Sequence, residues 1–278
     1  MSSVKKTRQD STGLYIEPPA RDIPGVKFEA ALGIQKMLED GRRYFGSSGA
    51  SLTHQINNPD SVGSDISPVL AQKGLEGERS TTKILHEWMK DKPNVVLVDS
   101  VHIHTEAAPS DVEDKPEELD EDEGVVDGKD TDHILLIGDE VILIDTKKWK
   151  GKRTYEVGDD GKVLRAKKNF PGGTVRMGGA IYMWLNYLYQ GAALTGIVFI
   201  NAEDVHVIRN KNWYKSVPYR LVELDRFVEL LDSRWEKIDE DNKNKINTTL
   251  VSQVALSAVA PYDAYKRIFN TSSLANFS

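Results

Sequence analysis

The residues best suited to chemistry lie in the segment TDHILLIGDEVILIDTKKWKG, residues 131–151. Two β-branched runs flank Gly138-Asp139, a two-residue hairpin signal in which glycine at the first position suits a type II′ turn. Such a hairpin sets Ile137 opposite Glu140, Leu135 opposite Ile142 and Asp132 opposite Asp145. Directly opposed residues share a face with Cβ atoms about 4.5–5.5 Å apart. Two carboxylates placed there repel unless a cation lies between them. Period-two alternation puts Lys147 with Asp145 and turns Thr146 and Lys148 away. Two acids and an ammonium around one point suit a hard divalent cation such as Mg2+, which takes oxygen ligands. Ile134, Leu136, Ile142 and Ile144 are assigned to the opposite face, and Leu135, Val141 and Leu143 to the face of the acids. A strand pair apolar on both faces does not casually hold two acids and a lysine, whereas a surface hairpin with an ordinary salt bridge would. His133 points away from Asp132 by the same alternation.

A helix must bring up the third acid. In KGLEGERSTTKILHEWMK, residues 73–90, an inward stripe runs through Leu75, Glu78, Thr82, Leu85 and Met89, which turns Glu78 to the sheet and leaves Glu76 in solvent. A carboxylate on a core-facing stripe needs a partner, and a metal or a lysine serves. Gly74 and Gly77 leave that end of the helix without bulk, so that it can approach the sheet. Around this frame the sequence predicts a flexible, extended arm over 1–24, a helix over 28–43 and a Ser/Gly/Asn-rich loop over 45–65. A strand follows over 94–105, then the hairpin, a helix over 174–189, a strand over 196–200 with a hairpin partner over 204–208, and helical periodicity from Val222. Helix, strands, helix and strand around one sheet is an α/β pattern.

With 278 residues and 39% apolar side chains the chain can build a sizeable core. No apolar run approaches the roughly 18–20 residues of a membrane span, and the polar start, MSSVKKTRQDSTG, does not read as a signal peptide. The absence of cysteine excludes disulfides and thiolate metal sites, leaving oxygen or imidazole ligands, and fits a cytoplasmic protein. The net charge of −7 argues against a nucleic-acid binder until it is divided. Residues 106–130 carry twelve carboxylates against two lysines, while residues 147–168 carry nine basic residues against three acids. The acidic segment reads as a solvated loop, or as a nucleic-acid-like cover for the basic stretch. His102, His104 and Glu106 on one strand face are an alternative zinc-type grouping that lacks a third imidazole.

Gly74-Leu75-Glu76-Gly77-Glu78, Thr131-Asp132-His133 and Ile144-Asp145-Thr146-Lys147 with Trp149-Lys150-Gly151, in this order and spacing, resemble the nuclease-related domain (NERD) family of the PD-(D/E)XK nuclease superfamily over residues 70–200. Asp145 stands where glutamate is frequent, and Arg176-Met177-Gly178 where a glutamine is expected. The resemblance implies a restriction-endonuclease-like α/β core, a central mixed sheet flanked by helices, over 70–210 with the acidic insertion 106–130. An N-terminal arm and helix over 1–69 and a helical C-terminal extension over 211–278 complete the expected organisation. It implies Mg2+-dependent hydrolysis of phosphodiester bonds in DNA rather than RNA, with Mn2+ as a substitute metal. Asp132, Asp145, the Thr146 carbonyl and Glu78 would bind the metal, and Lys147 would orient or deprotonate the attacking water. Lys148, Lys150, Lys152, Arg153, Lys167 and Lys168 would hold the nucleic-acid backbone without reading bases. Trp149 would stack on a base or pack at the sheet edge. The rival function is a non-catalytic module binding nucleic acid or protein on the same fold with a degenerate metal site. A second copy of the chain or a partner protein stays open.

Overall fold

In the computed structural model, which describes residues 14–57, 68–102, 130–149, 151–157, 163–165, 168–169, 177–189, 192–208 and 219–258, the first half of the chain forms β1 (Tyr15–Glu17), α1 (Phe28–Glu39), β2 (Tyr44–Gly46), α2 (Ala50–Asn57), α3 (Pro68–Met89) and β3 (Val96–His102). Next come β4 (Asp130–Ile137), β5 (Glu140–Lys147), β6 (Arg153–Val157), β7 (Val163–Arg165), β8 (Lys168–Asn169), α4 (Met177–Tyr187) and β9 (Ala193–Ile200). The chain continues through β10 (Val205–Ile208), β11 (Tyr219–Glu223), α5 (Leu224–Lys237), α6 (Glu240–Lys243), β12 (Lys245–Asn247) and α7 (Thr248–Leu256).

Six strands in the order β11-β9-β5-β4-β3-β2 make a mixed sheet. β3, β4 and β5 run antiparallel to their neighbours in that trio, and β2, β9 and β11 join as parallel strands. Parallel pairing needs crossovers, which put helices on the faces, so both faces are apolar and covered. Val96, Val98, Ile134, Leu136, Val141, Leu143, Val198 and Ile200 form one buried layer with Ile34 and Leu38 of α1, Ile181 and Trp184 of α4, and Leu250 and Val254 of α7. Leu97, Leu135, Ile137, Ile142, Ile144, Ile197 and Phe199 form the other with Leu85 and Trp88 of α3 and Phe227 and Leu231 of α5. The result is a three-layer α/β/α architecture. Among the described residues no helix is long and apolar enough to cross a membrane.

The hairpin forms in the expected register, with Ile137 opposite Glu140 and Leu135 opposite Ile142. Gly138 takes φ +57° and Asp139 does not have a positive φ, the pairing a type II′ turn requires. The assignment of apolar residues to its two faces is corrected. Cross-strand pairing groups Ile134 and Leu136 with Leu143 and Val141, on the Asp145–Lys147 side of β5, and sends Leu135 to the side of Ile142 and Ile144.

Other expectations change because tertiary pairing overrides local signals. The segment from 204 to 208 is a strand, but β10 pairs parallel with β6 in a separate sheet, β10-β6-β7-β8, instead of folding back on β9. The Ser/Gly/Asn-rich stretch contains the helix α2. The start of the described chain is not a loose arm: Leu14, Ile16 and Ile23 are buried, and β1 pairs with β12. The C-terminal region is more than a helical extension. β11 is an edge strand of the main sheet, and every residue of α7 from Thr248 to Ala255 is buried.

Phe199 of β9 lies fully buried and stacked on Phe227 of α5, with ring centroids 4.0 Å apart. Phe199→Ala is expected to destabilise the protein by about 3–5 kcal/mol through lost transfer energy and a residual cavity. Urea unfolding monitored by circular dichroism measures this.

Candidate active site

Glu78, Asp132, Asp145 and Lys147 meet where α3 passes the start of β4 and the end of β5. Glu78 lies on the expected stripe: Leu75, Glu78, Thr82 and Leu85 are all buried, and Glu76 is exposed. The two helix glycines divide their work. A Cβ at Gly77 would stand 3.1 Å from Lys148 Cβ, so this position lets α3 approach the end of β5, whereas Gly74 faces Leu52 of α2.

The β4–β5 ladder ends at the His133–Ile144 pair. Beyond it, the Asp132 side chain meets β5 in place of the backbone, Oδ2 accepting from the Thr146 N–H at 2.6 Å. Asp132 and Asp145 are therefore not the regular ladder pair expected from the turn, although Asp132 still feels the charge of Asp145. Lys147 Nζ donates to Asp145 Oδ1 at 2.8 Å, with both side chains partly exposed. Among the described residues no group hydrogen-bonds the Glu78 carboxyl.

Among the described residues, the Lys147 ammonium bonds Asp145 and its charge acts on Glu78 and Asp132 as well. Burial, then the charges of Asp132, Asp145 and Asp99, push Glu78 up to about 9 against the opposing pull of Lys147. Burial, then Asp145, push Asp132 up to about 7, although Lys147, His133 and the Thr146 amide oppose this. Burial acts to lower Lys147, but Asp145 and Asp132 outweigh it and hold the ammonium above its ordinary range. Oxygen donors in excess of the local positive charge are the donor set a hard divalent cation takes. As the side chains stand, Asp145 is engaged by Lys147, and among the described residues no three acidic or imidazole groups converge as a metal cluster. The chemistry of the donor set fits a cation, and binding one requires small side-chain movements.

The basic residues divide. Lys148, Lys152 and Arg153 are exposed; Lys150 and Lys167 lie outside the described residues, and of Lys168 only the backbone, in β8, is described. Lys152 and Arg153 border a groove of about 700 Å3 on β6 and β10 that also holds Glu156 and Asp204. The described part of the basic stretch is therefore mixed in charge. Trp149 packs on the buried Tyr155, with centroids 4.9 Å apart, which favours the packing role over base stacking. His104 and Glu106 of the zinc alternative also lie outside the described residues.

Sequence reasoning missed Asp99. It is fully buried in β3 and its Oδ1 accepts from His133 Nδ1 at 2.8 Å. The signal was present: an acid inside NVVLVDSVH is as conspicuous as Asp145 inside VILIDTK. Thr81 and Asn201, also buried, carried no comparable signal.

The raised carboxyls set a pH dependence. Groups that hold protons more tightly folded than unfolded contribute stability at low pH and lose it as pH rises through their folded values. In EDTA, the stability contribution of Asp132 and Glu78 is expected to fall between about pH 4 and 9. Glu78→Gln should flatten that slope and stabilise the metal-free protein by about 1–3 kcal/mol at pH 8. Urea titrations at pH 5 and pH 8.5 would expose an unchanged slope, which would contradict the electrostatic account. No family model, curated protein or solved structure matches the chain.

Proposed function

We propose that this protein is a metal-dependent nuclease on a NERD-like, restriction-endonuclease-type core, hydrolysing phosphodiester bonds of DNA. The carrying observation is that Glu78, Asp132 and Asp145, from three separate elements, lie within electrostatic reach of one another and of the Lys147 ammonium, at the end of a sheet apolar on both faces. Asp132, Asp145, the Thr146 carbonyl and Glu78 would hold Mg2+, or Mn2+ in its place. Such a metal lowers the pKa of bound water and neutralises charge on the phosphate in the transition state.

The chain's own groups supply the rest. The amide of Thr146 fixes Asp132. Lys147, kept charged by its carboxylate neighbours, suits orienting the attacking water and stabilising developing phosphate charge better than deprotonating that water. Lys148, Lys152 and Arg153 are exposed, and would attract a phosphodiester backbone without reading bases. The mixed charge of the groove beside Lys152 and Arg153 supports a second reading, a non-catalytic binding module with an unused metal site.

Linear, circular and single-stranded DNA should be cut in the presence of Mg2+ or Mn2+, with cutting reduced by at least about 100-fold in Lys147→Ala and Asp132→Ala. Mg2+ at 100 times its dissociation constant should add about 2.7 kcal/mol of stability, and Asp145→Asn should abolish that gain. Folded protein that cuts neither DNA nor RNA, yet binds DNA equally in EDTA and loses it with salt, would establish the binding module instead.

A further inference from the structure

Between α3 and the sheet, next to the acids, runs a chain of buried polar side chains to which the proposed cleavage gives no role. Asp99 and His133 are both 0% exposed. Asp99 Oδ1 accepts from His133 Nδ1 at 2.8 Å, and Oδ2 accepts from Thr82 Oγ1 at 2.7 Å and Tyr44 OH at 3.1 Å. The other ring nitrogen, Nε2, is 3.1 Å from Thr146 Oγ1, so the imidazole bridges Asp99 and Thr146. Thr146 Oγ1 also lies 3.1 Å from Thr81 Oγ1, which donates to the Gly77 carbonyl at 3.0 Å. Asn201 Nδ2 closes the chain onto Thr81 Oγ1 and the Gly77 carbonyl, at 3.2 and 3.1 Å.

This chain touches every element that delivers an acid. Thr81 and Thr82 sit one turn after Glu78 on α3, His133 follows Asp132 on β4, and Thr146 lies between Asp145 and Lys147 on β5. Thr146 is held from two sides: its backbone N–H grips Asp132, and its hydroxyl is fixed by His133 and Thr81. Burying so many polar groups is unfavourable unless every one is paired, and a paired network fixes geometry more tightly than an apolar contact can. We infer that His133, oriented by Asp99, is a positioning residue that acts through Thr146 to set the mutual spacing of the Glu78, Asp132 and Asp145 carboxylates. The inference rests on the metal-site reading given above.

The full-length chain is titrated with Mn2+ by calorimetry as wild type, His133→Asn, Thr81→Val and Thr81→Ser, each confirmed folded by circular dichroism and melting. Asparagine keeps a donor near the Nδ1 position for Asp99 but cannot reach Thr146. Valine keeps the shape of Thr81 without its hydroxyl, and covers the case in which His133→Asn does not fold. The expected result is a loss of about 10- to 100-fold in Mn2+ affinity for His133→Asn and Thr81→Val, with Thr81→Ser close to wild type. Rescue by serine separates the hydroxyl's positioning role from simple packing. Wild-type affinity in folded His133→Asn, or in folded Thr81→Val where His133→Asn does not fold, overturns the inference and leaves the metal site standing. A wild-type protein that takes up no Mn2+ overturns the metal-site reading, and the inference with it.

Discussion

Three carboxyl groups crowded around one ammonium is the constraint on which this structure turns. Left to themselves, Glu78, Asp132 and Asp145 would be driven apart by mutual repulsion or expelled to water. They stay together because each is carried by an element locked into the core from elsewhere. α3 is anchored on Leu85 and Trp88, far from Glu78, and β4 and β5 are buried along their apolar stretches on both faces. Hydrophobic burial over three layers thus offsets a local electrostatic penalty, and the penalty is partly relieved by protonation, as the raised carboxyls of Glu78 and Asp132 record. Strain of this kind is common where a protein holds groups ready for a ligand or a reaction.

Polar order next to the acids is built differently from the layers around it. The apolar layers tolerate exchange of side chains of similar volume, whereas the Tyr44, Thr82, Asp99, His133, Thr146 and Thr81 chain depends on directional bonds at every step. It also draws in the segment before α2, because Ser48 Oγ lies 2.8 Å from Thr82 Oγ1, and the Ser48 N–H donates to Tyr44 OH. A loop that reads from sequence as featureless is thereby fastened to the floor of the site.

Much of the site was legible because its signals were local. The II′ turn fixed a register by simple counting, alternation placed Lys147 with Asp145, and helical spacing turned Glu78 inward. What failed were the inferences that needed tertiary pairing. Nothing between residues 204 and 208 says that this strand would choose β6 over its sequence neighbour β9. Nothing in the polar N-terminal segment says that Ile16 would be buried beside a strand more than two hundred residues away. The divergence of β4 from β5 after His133 was equally hidden, since it comes from an aspartate side chain taking the place of a ladder partner.

The pairing of β1 with β12 has a consequence for how the chain is made. The first described strand has no partner until residues 245–247 exist, and α7, wholly enclosed, then docks on α1 and the main sheet. A bridge from Val101 to Ala258 fastens the segment after α7 to the strand that carries Asp99. Synthesis proceeds at about 5–20 residues per second, so a nascent chain spends several seconds with its acids translated but its inner layer unfilled. The layer that α7 completes, with Leu250 and Val254 against Val96, Ile134 and Val141, therefore closes only after most of the chain has been made.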